Sequence, residues 1–227
     1  MRTTAHRRID WRLCFVADSE AAAGADPLKL ILLAVGGGAT LVQLRGKAWT
    51  DREFLDLAAR AAELLRPRGI PLIINDRSDI ARAAAADGVH LGQSDLPVAA
   101  ARKILGRGAL IGVSAGGVDE AREGERAGAD YLGVGPVFST RSKVDAGAPL
   151  GLAGLRGIRR QVRRPILAIG GVDARNAAAV VRAGADGVAV ISAITGSAEP
   201  ARAAAEIIES IGILGIKRPP APPAGRS

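Results

Sequence analysis

A disulfide cannot form within this chain, because Cys14 is the single cysteine among 227 residues. Cys14 is read as a small buried hydrophobe on a first strand, in preference to a nucleophile. Aromatic residues make up only 3%, so aliphatic side chains must fill the interior. The stacked platforms that hold bases are missing too, which argues against nucleic acid as a partner. No apolar run reaches the length of a membrane span, and no apolar segment follows the basic start MRTTAHRRID as in a secretory signal. The chain is therefore expected to be cytoplasmic, with no membrane partner. Acidic residues are the minority charge, 23 against 31 basic, for a net +8. That balance suits anionic small molecules. Much of the excess lies near the ends, at Arg2, Arg7, Arg8, Lys217, Arg218 and Arg226.

What the chain does have is alternation. Short β-like runs fall at 13–16, 40–45, 71–75, 88–91, 110–114, 131–134, 165–169 and 187–191. Between them lie Ala-rich segments of helical period. In 51–66, Phe54, Leu55, Ala58, Ala61, Ala62 and Leu65 form one stripe, and Thr50 with Glu53 forms a capping box. Eight strands alternating with helices predict an α/β protein with a single (β/α)8 TIM barrel, and an open doubly wound sheet is the alternative. The expected limits are a flexible lead-in over 1–12, the barrel over 13–211 and a disordered Pro-rich tail over 212–227. AADGV at 85–89, GADYL at 128–132 and GADGV at 184–188 each join a helix to a strand. Such turns lie on the bottom face, so Asp87, Asp130 and Asp186 are read as structural.

The polar clusters instead fall where strands end, at the face that carries barrel active sites. In LVQLRGK, alternation sends Gln43, Arg45 and Lys47 one way and Val42 and Leu44 the other. This reads as an anion site, with a structural ion pair as the competing reading. Asp76 and Asp95 end neighbouring strands about 4.8 Å apart, and a converging carboxylate pair suits magnesium. The alternative is that each caps a following helix. His90 is read as a satisfied barrel residue rather than a ligand. Ser114 ends the fifth strand and offers a hydroxyl to a phosphate. The long segment after the sixth strand, with Thr140, Ser142 and Lys143, reads as a ligand loop. Gly170 and Gly171 end the seventh strand and Ser192 the eighth, the usual phosphate site of such barrels. Two anion sites in one mouth, one with a metal, fit transfer between two phosphorylated substrates.

The blocks VQLRGK, INDRSDIA, GVHLGQSDLP, IGVSA, DYLGVGPVFSTRSK and AIGGVDARN…GADGVAVISAI, running in order from Asp18 to Ile194, resemble thiamine phosphate synthases. The resemblance implies two small-molecule substrates. One is an aminopyrimidine bearing a diphosphooxymethyl group, held by Gln43, Arg45, Lys47, Asn75 and Lys143. The other is a thiazole phosphate, held by Thr140, Ser142, Gly171, Ile191 and Ser192. It further implies magnesium on Asp76 and Asp95, Ser114 near the pyrophosphate, and Lys143, Arg45 and Ser114 as the catalytic set. The products would be thiamine monophosphate and pyrophosphate. Three positions depart from the family pattern: Gly46, where an acidic or amide residue is frequent, Ser142, where a threonine is, and Gly116, where a histidine is. A thiazole tautomerase-like barrel is a rival, although it lacks the paired aspartates and uses that histidine. A non-catalytic phosphate-binding regulator is the second rival.

Overall fold

A computed structural model describes residues 9–21, 24–140, 142 and 147–212. Residues 1–8 of the expected lead-in, 213–227 of the expected tail, and Lys143 lie outside the described residues. The strands are β1 (Leu13–Asp18), β2 (Leu41–Arg45), β3 (Leu72–Asn75), β4 (Gly88–Leu91), β5 (Leu110–Ala115), β6 (Tyr131–Val134), β7 (Ile166–Ile169) and β8 (Gly187–Val190). All pair in parallel in chain order, and β8 closes on β1. The barrel is thus closed, not an open doubly wound sheet. Among the described residues no helix is long and apolar enough to cross a membrane.

Strand alternation sorts the side chains into two layers. Leu13, Phe15, Val42, Leu44, Leu72 and Ile74 belong to the large cluster between sheet and helices. Cys14, Val16, Leu41, Ile73, Tyr131 and Leu167 fill the barrel interior. Both faces of every strand are covered, which is why the strands read as continuous apolar runs. Cys14 is a buried interior residue, and burial pushes its thiol up to about 12. The four described residues before β1 pack as well: the Trp11 and Tyr131 ring centroids lie 5.0 Å apart.

Helix α2 (Asp51–Leu65) has the full capping box of Thr50 and Glu53. Its buried face is Phe54, Ala58, Ala61, Ala62 and Leu65. Leu55 is the exception in the expected stripe, at 36% exposure, because one step from Phe54 rotates it about 100° off the packed face. The αβ-turn aspartates are structural, as expected. Asp87, Asp130 and Asp186 accept the backbone N–H of Leu72, Ile111 and Ile166, at 2.9, 2.8 and 2.8 Å. Each turn is thereby tied to the start of an adjacent strand, at the face opposite the strand ends.

Candidate active site

The strand ends open into a cavity of about 880 Å³, a size that suits small ligands. Gln43, Arg45, Lys47, Asn75, Asp76, Asp95, Ser114, Thr140, Ser142, Gly171, Ile191 and Ser192 all line it. Twelve positions singled out from sequence therefore meet in one place. Lys143 is the remaining one, and it lies outside the described residues.

Gln43 and Arg45 point inward from β2 and are 8% and 9% exposed. The guanidinium of Arg45 is ion-paired through Nη1 with Asp18, which is fully buried, and with Glu20 at 3.1 Å. Burial opposes its charge, but the two carboxylates outweigh that and hold its pKa above the ordinary arginine value. The competing reading of Arg45 was a structural ion pair. The pair exists, and its arginine still faces the cavity. Asp18 and Glu20 were missed, because the first strand was expected to end at Val16 and in fact continues to Asp18.

Asp76 and Asp95 are not helix caps. Arg77 and Pro97 hold the N-cap positions of α3 (Ser78–Ala83) and α4 (Val98–Leu105), and neither helix has a side-chain cap. Asp95 instead accepts the Gly92 N–H at 2.6 Å, closing its own loop. Asp76 sits in the left-handed region at φ 62°, an uncommon conformation that clusters at functional sites. Its carboxyl is pushed up to about 6, first by burial and then by the hydrogen bond and charge of Asp95, against the pull of Lys47 and Arg45.

Below this rim, polar side chains run through the barrel interior. The Ser114 hydroxyl lies 3.0 Å from His90 Nε2, and His90 Nδ1 lies 3.1 Å from the Tyr131 hydroxyl. Burial pushes the Tyr131 phenol well above its ordinary pKa, the Cys14 thiol adds to this, and a hydrogen bond with Gln43 opposes it. His90 is thus a satisfied barrel residue, as read, and it also orients Ser114. Missing side chains make the room: a Cβ on Gly112 would lie 2.5 Å from His90 Nδ1, and one on Gly133 2.7 Å from His90 Cε1.

The opposite side of the mouth is built from hydroxyls and glycines. Ser142 donates its backbone N–H to Thr140 Oγ1 at 3.2 Å, and its hydroxyl lies 3.3 Å from that of Ser192. Gly170 and Gly171 have φ of 96° and 63°. A Cβ on Gly171 would lie 2.6 Å from the Ser139 carbonyl oxygen. The segment after β6 therefore packs directly on the end of β7. Two departures from the family pattern also gain a physical setting. A Cβ on Gly46 would come within 2.8 Å of the Trp49 and Phe54 rings. At Gly116, the backbone N–H donates to Glu120 at 2.6 Å, which brings Glu120 into the cavity wall.

The profile of the thiamine monophosphate synthase family matches residues 13–194, the whole barrel from β1 to the end of β8. A thiamine-phosphate synthase of Moorella thermoacetica is 51% identical over 201 residues, covering 88% of this chain and 96% of that one. One of Chloroflexus aurantiacus is 50% identical over 199 residues, covering 88% and 92%. The thiamine phosphate pyrophosphorylase of Pyrococcus furiosus superposes with a TM-score of 0.84 at 36% identity, covering 91% of this chain and 98% of that one. Neither the tautomerase-like alternative nor the regulator is favoured by these relatives. With the barrel, the mouth and the relatives in agreement, the chain belongs to the thiamine monophosphate synthase family.

Proposed function

We propose that the enzyme joins the methylene carbon of the diphosphooxymethyl pyrimidine to the ring nitrogen of the thiazole phosphate. The observation that carries this is the division of one cavity. The Gln43, Arg45 and Lys47 cluster with its two carboxylates lies on one side, and the Thr140, Ser142, Gly171 and Ser192 cluster on the other. A transferase of thiamine biosynthesis with two phosphorylated substrates needs two such sites. A cytoplasmic setting suits substrates of this charge, which do not cross membranes unaided.

In this reading the pyrimidine diphosphate lies against Gln43, Arg45, Lys47, Asn75 and Lys143, with Ser114 near its pyrophosphate. The thiazole phosphate lies against Thr140, Ser142, Gly171, Ile191 and Ser192. The carbon–oxygen bond to the diphosphate breaks and its electron pair leaves with the pyrophosphate. The thiazole nitrogen supplies the pair for the new carbon–nitrogen bond. No proton need move, so this reading asks no acid–base step of the residues in the mouth. Arg45, Lys47 and Lys143 place positive charge where negative charge grows, the preorganisation that lowers such barriers.

Magnesium fits the residues present. Among the described residues no group of three or more His, Cys, Asp or Glu is placed to hold a metal. Magnesium needs only one or two carboxylates, because phosphate oxygens and water complete its shell. Burial and the neighbouring Asp95 carboxylate both push the Asp76 carboxyl up, and a cation between them would favour its charged form. Asp76 and Asp95 would hold the ion, which supplies Lewis-acid stabilisation of the leaving pyrophosphate.

The test is turnover. Full-length protein with both substrates and magnesium should form thiamine monophosphate and pyrophosphate in equal amounts. Absence of product, or pyrophosphate released without thiazole phosphate consumed, would contradict the reading.

A further inference from the structure

Arg45 and Asp18 are direct neighbours across β2 and β1. Both side chains point inward at the mouth, but Arg45 lines the cavity and Asp18 does not. Asp18 is fully buried behind it. Its Oδ1 accepts the backbone N–H groups of Glu20 and Ala21 at 2.9 and 3.0 Å, while Oδ2 takes Arg45 Nη1. The same turn is stitched to β2 by its backbone. The Ser19 N–H donates to the Arg45 carbonyl at 2.9 Å, and Ser19 Oγ accepts the Ala48 N–H at 2.9 Å, just beyond Lys47. The carboxylate is therefore fixed before it meets the guanidinium. It occupies one nitrogen of the planar fork and leaves Nε and Nη2 without a hydrogen bond among the described residues.

We infer that Asp18 is the positioning residue for Arg45, holding the guanidinium at the angle at which its remaining donors meet the diphosphate. This rests on the reading of that side of the mouth as the diphosphate site. Asp18 touches no substrate and acts through Arg45 alone. Two effects oppose each other here. A carboxylate behind the site weakens the field felt by an anion, so charge alone predicts tighter diphosphate binding when Asp18 is neutralised. Orientation predicts the reverse, because a nearly buried guanidinium that loses its partner must find another. Burial and the two backbone donors favour orientation. Glu20 separates the effects: it contacts the same nitrogen, but its side chain is 59% exposed, so it contributes charge and little constraint.

The experiment is calorimetric titration of the full chain with inorganic pyrophosphate plus magnesium, and separately with thiazole phosphate. Asp18→Asn keeps an oxygen for the Glu20 and Ala21 N–H groups. It should weaken pyrophosphate about tenfold or more, with thiazole phosphate unchanged, and Glu20→Gln should bind pyrophosphate at least as tightly as wild type. Pyrophosphate bound equally or more tightly by Asp18→Asn, while Arg45→Gln weakens it, would overturn this inference alone. A wild type that does not bind pyrophosphate, or an Arg45→Gln variant that binds it normally, would overturn the diphosphate site and this inference with it. Should Asp18→Asn fail to fold, the same substitution on the Arg45→Gln background decides. There it should add no further loss of pyrophosphate affinity, and a further loss would show that Asp18 does not act through Arg45.

Discussion

Asp76 and Asp95, from the loops after β3 and β4, meet at one side of the mouth, where the Asp76 carboxyl is pushed up to about 6. Burial is the first cause and the Asp95 carboxylate the second. A carboxyl raised in this way binds its proton more tightly folded than unfolded. Stability is then lost as pH rises from about 4 to about 6, and the loss is complete above that window. Asp76→Asn removes the effect, and asparagine tolerates the left-handed backbone. In EDTA, the melting temperature of the wild type should fall relative to Asp76→Asn as pH rises through that window. Magnesium at neutral pH should restore it. Parallel curves for the two proteins would mean that Asp76 ionises without cost.

The hydroxyl cluster should serve the thiazole phosphate only. Ser142→Ala and Ser192→Ala each remove a hydroxyl of the pair held at 3.3 Å. Each should raise KM for thiazole phosphate about tenfold and leave KM for the pyrimidine diphosphate unchanged. Equal rises for both substrates would place the cluster elsewhere in the reaction.

Gly46 tests the local packing. Its missing Cβ is replaced by the Trp49 and Phe54 rings, whose centroids lie 5.7 Å apart. Gly46→Ala should destabilise by about 1–3 kcal/mol through overpacking, a loss of about 2–4 °C for each kcal/mol. It should also weaken pyrophosphate binding, because Arg45 and Lys47 flank it. An unchanged melting temperature would show that the rings move aside freely.

Lys143 carries the prediction that depends most on the family resemblance. Lys143→Ala should slow turnover about a hundredfold or more, as expected for loss of a charge that stabilises the leaving group. The melting temperature should stay the same. An unchanged rate would remove Lys143 from the catalytic set.

The barrel and its mouth were legible because strand alternation is a strong local signal. Val42 and Leu44 against Gln43 and Arg45 divide outside from inside without any tertiary knowledge. What stayed hidden depended on register or on missing atoms. Asp18 looks like the start of a loop, and only its register with Arg45 reveals an inward carboxylate. His90 and Tyr131 are distant in sequence, and they meet only because Gly112 and Gly133 leave room. Whether Asp76 and Asp95 cap helices was likewise open, since aspartate before a helix serves either purpose. The positions of Arg77 and Pro97 resolved that point.

Turnover of Asp76→Asn and Asp95→Asn across a magnesium titration tests the central claim most directly. Asparagine keeps the shape of aspartate but lacks the anionic charge that a hard cation prefers. Both variants should remain folded, lose about a hundredfold or more in kcat at low magnesium, and recover in part at high magnesium. If both carboxylates serve one ion, the double variant should lose little beyond either single one. Near-normal turnover by both single variants at low magnesium would contradict a magnesium-assisted transfer at this site.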